Sequence, residues 1–394
     1  MPIRFLTAGE SHGPALLCIL EGIPAGLPLN SQTLNADLAR RQHGYGAGPR
    51  MKLETDKVRI LSGVMAGVTT GAPLALQVEN SDHARWRGKA IPPYTVPRPG
   101  HADLVGAVKY DYRDLRPALE RASARETAAR VAAGAVCRAL LAQFGIRVEG
   151  YVASIGPVSA ALGSIPLAER AARARQNDVN CPDAQAALAM QDHIKATMQA
   201  RDTAGGVIEI LAFGLPVGLG SYSQWDRRLD ARLAAAVLSV PAMKGIEIGP
   251  AFENTRLPGT QVHDSLQPEG ERIARPSNRS GGLEGGVSNG QPLYVRVAMK
   301  PIPTTLNPQR SVDLASGEAV ETRYERSDFC PVPRAVVILE AMIALTLADA
   351  LLEKLGGDSL NEIRPRFAAL RQANLADLPM DNLETIFWPV EGEA

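Results

Sequence analysis

Ser11 and His12 stand side by side in AGESHGPAL, residues 8–16, between two glycines. In type they are a nucleophile and a base. Neighbours in sequence usually point apart, however, and the strand-turn-helix frame of a nucleophile elbow is missing. His101, in VPRPGHAD, has a similar setting. Of the six histidines, these two alone are framed by glycine-rich turns with polar neighbours, which suits general acid–base work. His43 falls in an arginine-bearing loop, while His83, His193 and His263 lie in polar segments and read as surface residues.

The arginines cluster around the same stretches. Arg40 and Arg41 close a helical segment and lead into QHGYGAGPRMK, which carries Arg50 and Lys52. Arg98 precedes His101, and DYRDLRPALERASARE supplies Arg113, Arg116, Arg121 and Arg125. Arg275, Arg279, Arg323 and Arg326 lie beside later glycine-rich or polar loops. Arg40 and Arg41 could simply complement a helix C-terminus, and Arg121 and Arg125, four apart, could be a solvated helix face. Several guanidinium forks next to glycine-rich loops are harder to read as surface decoration. They match phosphate and carboxylate oxygens, and the substrate should carry several negative charges. Ser123 to Glu126 reads as a capping box that aims a helix N-terminus at the same place.

Other chemistries are poorly supported. NRSGGLEGGVSNGQP lacks the Gly-Lys-Ser/Thr ending of a P-loop, and no strand-GxGxxG-helix fingerprint stands out. No HxxxH or CxxC offers a metal site, and Cys18, Cys137, Cys181 and Cys330 fit neither metal spacing nor a disulfide framework. Among 394 residues, 42 basic and 42 acidic side chains balance, leaving no bulk field for nucleic acid or an anionic membrane. The first residues show no long apolar stretch of the signal-peptide kind. AVVILEAMIALTLADALL is interrupted by Glu340 and Asp349 and reads as a buried helix rather than a membrane span. An intracellular, cytoplasmic chain is expected.

Elements must place these residues, and two pairs of stretches look alike. GIPAGL (22–27) matches GLPVGL (214–219), each after an apolar run and before a Ser-Gln pair opening a helix-like segment. SGVMAGVTTGAPLALQV (62–78) matches GGLEGGVSNGQPLYVRV (281–297), sharing three glycines, a proline and a final valine. The order repeats, so the expectation is one domain over residues 1–394 with two pseudo-symmetric halves, about 16–80 and 208–299. GVIEILAF (206–213) and PLYVRVAM (292–299) read as strands, and helices are expected over 32–42, 124–143, 184–200, 227–239 and 334–355. Strands in hairpin-like succession argue for an α+β fold over a doubly wound parallel sheet.

Six blocks, GESHG, RPGHAD, SARETAARVAAGA, GGLEGG, MKPIPT and ERSD, resemble in content and order the signatures of the chorismate synthase family. The resemblance implies conversion of 5-enolpyruvylshikimate 3-phosphate to chorismate by anti-1,4-elimination of phosphate, with reduced FMN required although no net redox change occurs. It implies helices sandwiched between antiparallel sheets, assembled as a homotetramer. Ser11 and His12 then belong to a proton relay, with His12 an acid towards the reduced flavin and Ser123 a second relay hydroxyl. His101 lies near the flavin N1 edge, and Asp328 keeps flavin N5 able to accept the substrate proton. Arg41, Arg50, Arg98 and Arg125 resemble the family's substrate-binding arginines. FMN contacts fall at Arg121, Ala122, Ser123, Pro241, Ala242, Gly285, Lys300, Pro301, Ile302, Pro303, Thr304 and Arg326.

The chain departs from the family pattern at Ala47, where relatives commonly carry arginine, and at Ala122, where they commonly carry serine. No appended reductase segment is visible, so an external reductant is expected rather than a built-in NADPH activity. Two other readings stay open. A Ser/His hydrolase would need a third orienting acid and no FMN, and a non-catalytic flavin- or phosphometabolite-binding protein could keep the same loops.

Overall fold

The computed structural model describes residues 2–47, 55–323, 327–378, 380–385 and 387–388. Alternating apolar residues build two antiparallel sheets. The first contains β1 (Arg4–Ala8), β2 (Ala15–Glu21), β3 (Val58–Ser62) and β4 (Leu74–Glu79) in the order β1-β2-β4-β3. The second contains β5 (Arg147–Ile155), β6 (Val158–Ser159), β7 (Gly206–Phe213), β8 (Met243–Ile248) and β9 (Leu293–Met299) in the order β8-β9-β7-β5-β6. Read from β5, its β5-β7-β9-β8 core has the strand order of the first sheet.

The likeness extends to single bonds. Leu16 pairs with Val78, Cys18 with Leu76 and Leu20 with Leu74, while Ile208 pairs with Val297, Ile210 with Val295 and Ala212 with Leu293. These are the positions that the sequence repeat matches. The Thr69 hydroxyl donates to the Pro24 carbonyl at 2.6 Å and accepts from Leu27 N–H at 2.9 Å. Ser288 does the same with Pro216 at 2.6 Å and Leu219 at 2.8 Å. A short buried hydroxyl thus pins each half's hairpin to the loop after its second strand.

Between the sheets lie α1 (Ser31–Gln42), α2 (Thr127–Ala142), α3 (Leu229–Leu238) and α4 (Val332–Leu355). Asn30 caps α1 through the Thr33 amide. The alanines of α2 let it approach α4 closely: a Cβ on Gly134 would overlap Ala341. One continuous apolar core joins residues of both sheets and all four helices. Inside it, the fully buried carboxylate of Glu340 accepts from Arg40 at 2.6 and 2.8 Å, from Arg138 at 3.2 Å and from Gly150 N–H at 2.8 Å. Burial works against its charge, but these guanidiniums hold the carboxyl below the usual range. The charge that interrupts the apolar run of α4 is therefore a tie between three helices and β5. By length and composition α4 could cross a membrane, yet 94% of its most apolar window is buried in the protein.

The fold is the expected α+β arrangement, with helices sandwiched between antiparallel sheets. The expected strands and the five expected helices are present within a few residues of their forecast ends. The helices Asp103–Tyr110, Arg116–Arg121, Leu167–Ala174 and Leu360–Ala368 were not anticipated. All are short, and Pro365 lies inside the last of them, where proline ordinarily argues against a helix.

Candidate active site

A cavity of about 860 Å³ opens where the turn after β1, the segment 98–127, the loop after α3, the loop after β9 and the start of α4 converge. All five residues expected to be catalytic, Ser11, His12, His101, Ser123 and Asp328, line it. So do Arg41, Arg98 and Arg125 of the substrate set, whereas Arg50 lies outside the described residues.

His12 is held on three sides. Its Nδ1 lies 2.7 Å from Glu120 Oε1, and its own N–H donates to Glu120 Oε2 at 2.7 Å. The Trp86 ring packs with its centroid 4.6 Å from that of the imidazole, and His83 Nδ1 is 3.0 Å from the His12 carbonyl. Burial tends to raise the Glu120 pKa, but the His12 ring, its charge and its N–H together hold the carboxyl below the ordinary 4.5. Glu120 is thus an acceptor, and His12 Nδ1 is the donor. Next door, Ser123 Oγ donates to Ser11 Oγ at 3.2 Å and also caps the Arg125 N–H at 3.3 Å. His83 is therefore not a bystander at the surface but a support of the His12 turn. The capping box is half right. Ser123 caps, but Glu126 turns away to Thr7 at 2.6 Å and Arg130 at 2.8 Å rather than reaching back.

His101 has a carboxylate of its own. Its Nδ1 lies 2.6 Å from Asp103 Oδ1, while Arg98 grips the same carboxylate through Nε at 2.8 Å and Nη2 at 2.9 Å. Burial opposes the Asp103 charge, yet Arg98 and His101 hold the carboxyl far below its usual range. Arg98 Nη1 also donates to Thr304 Oγ1 at 3.3 Å, which links this cluster to the loop after β9.

The remaining arginines crowd one wall. Buried Asp56 bridges Arg41 Nη1 at 3.2 Å and Arg125 Nη1 at 2.5 Å. Arg125 Nε donates to Asn80 Oδ1 at 2.8 Å, and Asn80 Nδ2 donates to the carbonyls of Glu10 at 3.1 Å and Gly13 at 2.9 Å. One buried amide thereby joins an arginine to the Ser11–His12 turn. Burial depresses the Arg41 pKa to about 9; Asp56 supports its charge, while Arg334 and Arg125 oppose it. An anionic ligand relieves such crowding, so the wall is built to receive one. Arg334 holds Asp328 through Nη1 at 3.2 Å and Nη2 at 2.7 Å, and its buried Nε has no partner among the described residues. Arg40 and Arg41 are thus internal ion-pair partners, not surface complements to a helix end. Arg121 and Arg125 do not share a helix face, because Arg121 ends one short helix and Arg125 lies buried in the next turn.

Part of the lining is apolar and includes Pro241, Ala242, Met243, Met299, Ile302 and Pro303. Ala242 takes the left-handed conformation with φ 70° and accepts Lys300 N–H at 3.0 Å. Lys300 Nζ, 2.7 Å from the Gly100 carbonyl, and the Arg121 guanidinium stand at the rim. Apolar lining together with these cations suits a ring that carries a phosphate. Of the FMN contacts expected, Arg121, Ala122, Ser123, Pro241, Ala242, Lys300, Ile302, Pro303 and Thr304 line the cavity. Pro301 and Gly285 do not: Gly285 turns the hairpin Leu283–Ser288, next to Tyr222. Arg326 lies outside the described residues.

The chorismate synthase family model matches residues 3–352. The chain belongs to the chorismate synthase family. It is 53% identical over 371 residues to the chorismate synthase of Desulforudis audaxviator, covering 92% of this chain and 95% of that one. It is 51% identical over 382 residues to the chorismate synthase of Geobacter sulfurreducens, covering 93% and 97%. A crystal structure of chorismate synthase, 43% identical, matches with a TM-score of 0.76 over 93% of this chain and 97% of that one. Membership of a lyase family disfavours the hydrolase reading, although Glu120 is the orienting acid such an enzyme needs. Glu120, Asp103, Asp56, Asn80 and Arg334 escaped sequence reasoning. Each acts on a partner rather than on a recognisable motif, and the Ser-Ala-Arg-Glu pattern drew attention to Glu126 instead.

Proposed function

We propose that this chain converts 5-enolpyruvylshikimate 3-phosphate to chorismate by anti-1,4-elimination of phosphate, with reduced FMN required. The convergence of two carboxylate-held histidines and a crowded guanidinium wall on one cavity, in a chain of this family, carries the reading. Arg41, Arg98 and Arg125 bind the substrate anions, and Arg50 completes the set. Their charge stabilises phosphate as it leaves. His12 is the acid facing the cavity, Ser11 and Ser123 are its relay hydroxyls, and His101 is held at the flavin side by Asp103. Asp328, kept in place by Arg334, is the basic carboxylate of the site. Arg121, Ala122, Ser123, Pro241, Ala242, Lys300, Ile302, Pro303 and Thr304 hold FMN, with Gly285, Pro301 and Arg326 as further contacts. When bound and reduced, FMN supplies electron density to the eliminating substrate.

The decisive experiment is anaerobic turnover of 5-enolpyruvylshikimate 3-phosphate, following phosphate and chorismate with and without reduced FMN. Equal amounts of both products, only with reduced flavin, support the reading. Phosphate without chorismate would indicate hydrolysis, and FMN binding without turnover would indicate a non-catalytic binder. The reductant is external to the chain, the setting is cytoplasmic, and the active form is a homotetramer. The assembly is supported by an apolar strip on the outer face of the first sheet, where Leu6 is paired with Ile19 and Ala8 with Leu17. Leu6 is 68% exposed, and Leu17 and Ile19 are 41% and 43% exposed. The same reading treats residues 1–394 as one domain made of a duplicated unit.

A further inference from the structure

The His12 ring could rotate about its side-chain bonds, and a proton can sit on either nitrogen. In this protein one carboxylate removes both freedoms. Glu120 Oε2 takes the His12 N–H and Oε1 takes Nδ1, each at 2.7 Å, while the Glu120 carbonyl accepts the Ser11 N–H at 3.2 Å. The carboxylate rides on the short helix Arg116–Arg121, 108 residues along the chain from His12. Trp86 packs against the ring at a centroid distance of 4.6 Å.

We propose that Glu120 is the positioning residue of His12, locking the proton on Nδ1 and leaving Nε2 as the nitrogen that exchanges a proton with the cavity. The Nε2–H bond breaks, the proton passes to the acceptor in the cavity, and the ring is left as the neutral Nδ1–H tautomer. Glu120 stays ionised throughout. Its acceptor-only state agrees with the low position of its carboxyl titration. Asp103 cannot serve His12 in this way, because its oxygens are occupied by Arg98 and His101.

The proposal rests on the role given to His12 in the elimination, and two readouts keep them separable. The first is 15N NMR of the full-length protein, with nitrogen shifts of His12 reporting the tautomer without flavin or turnover. The unmodified protein is expected to show Nδ1–H, and Glu120→Ala a shift to Nε2–H or a mixture. The second is steady-state turnover. Glu120→Gln, which retains the side-chain shape, is expected to lower kcat by about 10–100-fold, a part of the roughly 10²–10⁴-fold that a positioned acid supplies. KM should change by about twofold or less, because no substrate contact is removed. Glu120→Ala added to His12→Ala should cost nothing more. An unchanged tautomer in Glu120→Ala, or an unchanged kcat in Glu120→Gln while His12→Ala is crippled, overturns the positioning role. If His12→Ala itself turns over normally, the acid assignment fails, and the NMR result still decides whether Glu120 fixes the ring.

Discussion

Two of the guanidiniums that line the cavity depend on Asp56, whose carboxylate is shared between Arg41 and Arg125. Removing one partner of a buried ion pair costs about 3–5 kcal/mol, because the charge left behind stays desolvated. Asp56→Asn is therefore expected to lower the melting temperature markedly. Because a bound anion replaces the missing charge, added phosphate should raise its melting temperature more than that of the unmodified protein; differential scanning fluorimetry checks this. Asp103 sets a pH dependence. Its carboxyl titrates below the ordinary 3.8 in the folded chain. The folded state thus gains stability above that pH and loses it as the solution is acidified through the folded-state value. Asp103→Asn should flatten the stability–pH curve below pH 3.8, measured by urea unfolding at a series of acid pH values.

At the scale of elements, α2 and α4 cross in close contact. Gly134 lies against Ala341 so closely that a methyl group has no room. Alanine would gain about 1 kcal/mol in helix propensity on an exposed helix, but overpacking a core costs about 1–3 kcal/mol. Gly134→Ala should thus be destabilising, and Gly134→Val more so, by chemical denaturation. On the same helix, about two turns before Ala341, Arg334 reaches Asp328. Gly134→Val is accordingly expected to weaken substrate turnover even where the protein remains folded.

For the whole molecule, the two sheets differ on their outer faces. The second sheet is covered by the segment between β6 and β7, which buries Tyr151, Leu211 and Ala174. Under it, Glu209 accepts from the Tyr151 hydroxyl, from Tyr294 at 2.7 Å and from Arg296 Nε at 3.0 Å. The first sheet has no comparable cover among the described residues, and its apolar strip around Leu6 and Ile19 faces solvent. Leu6→Glu with Ile19→Glu places two charges on that strip and should shift the protein to smaller assemblies by light scattering. The monomer fold should survive, because neither side chain contributes to the core.

Much of this was legible in the residues alone. Period-two runs announced β7 and β9, the long apolar run announced α4, and the repeated glycine spacing falls on strands that share an order and a register. Ser11, His12, His101, Ser123 and Asp328 stood in ordered motifs, and short-range pattern is what a linear chain displays. The supports did not show. Glu120 is 108 residues from His12, Asp56 is 69 from Arg125, and Glu340 is 300 from Arg40. A carboxylate looks the same in sequence whether solvated on a surface or held against a cation, because its role depends on burial and on partners that only folding brings near. The sequence by itself determined the elements, the repeat and the chemical groups available. Tertiary structure alone decided which charge neutralises which, and which carboxylate meets Nδ1 of His12, because those partners are brought together only by folding.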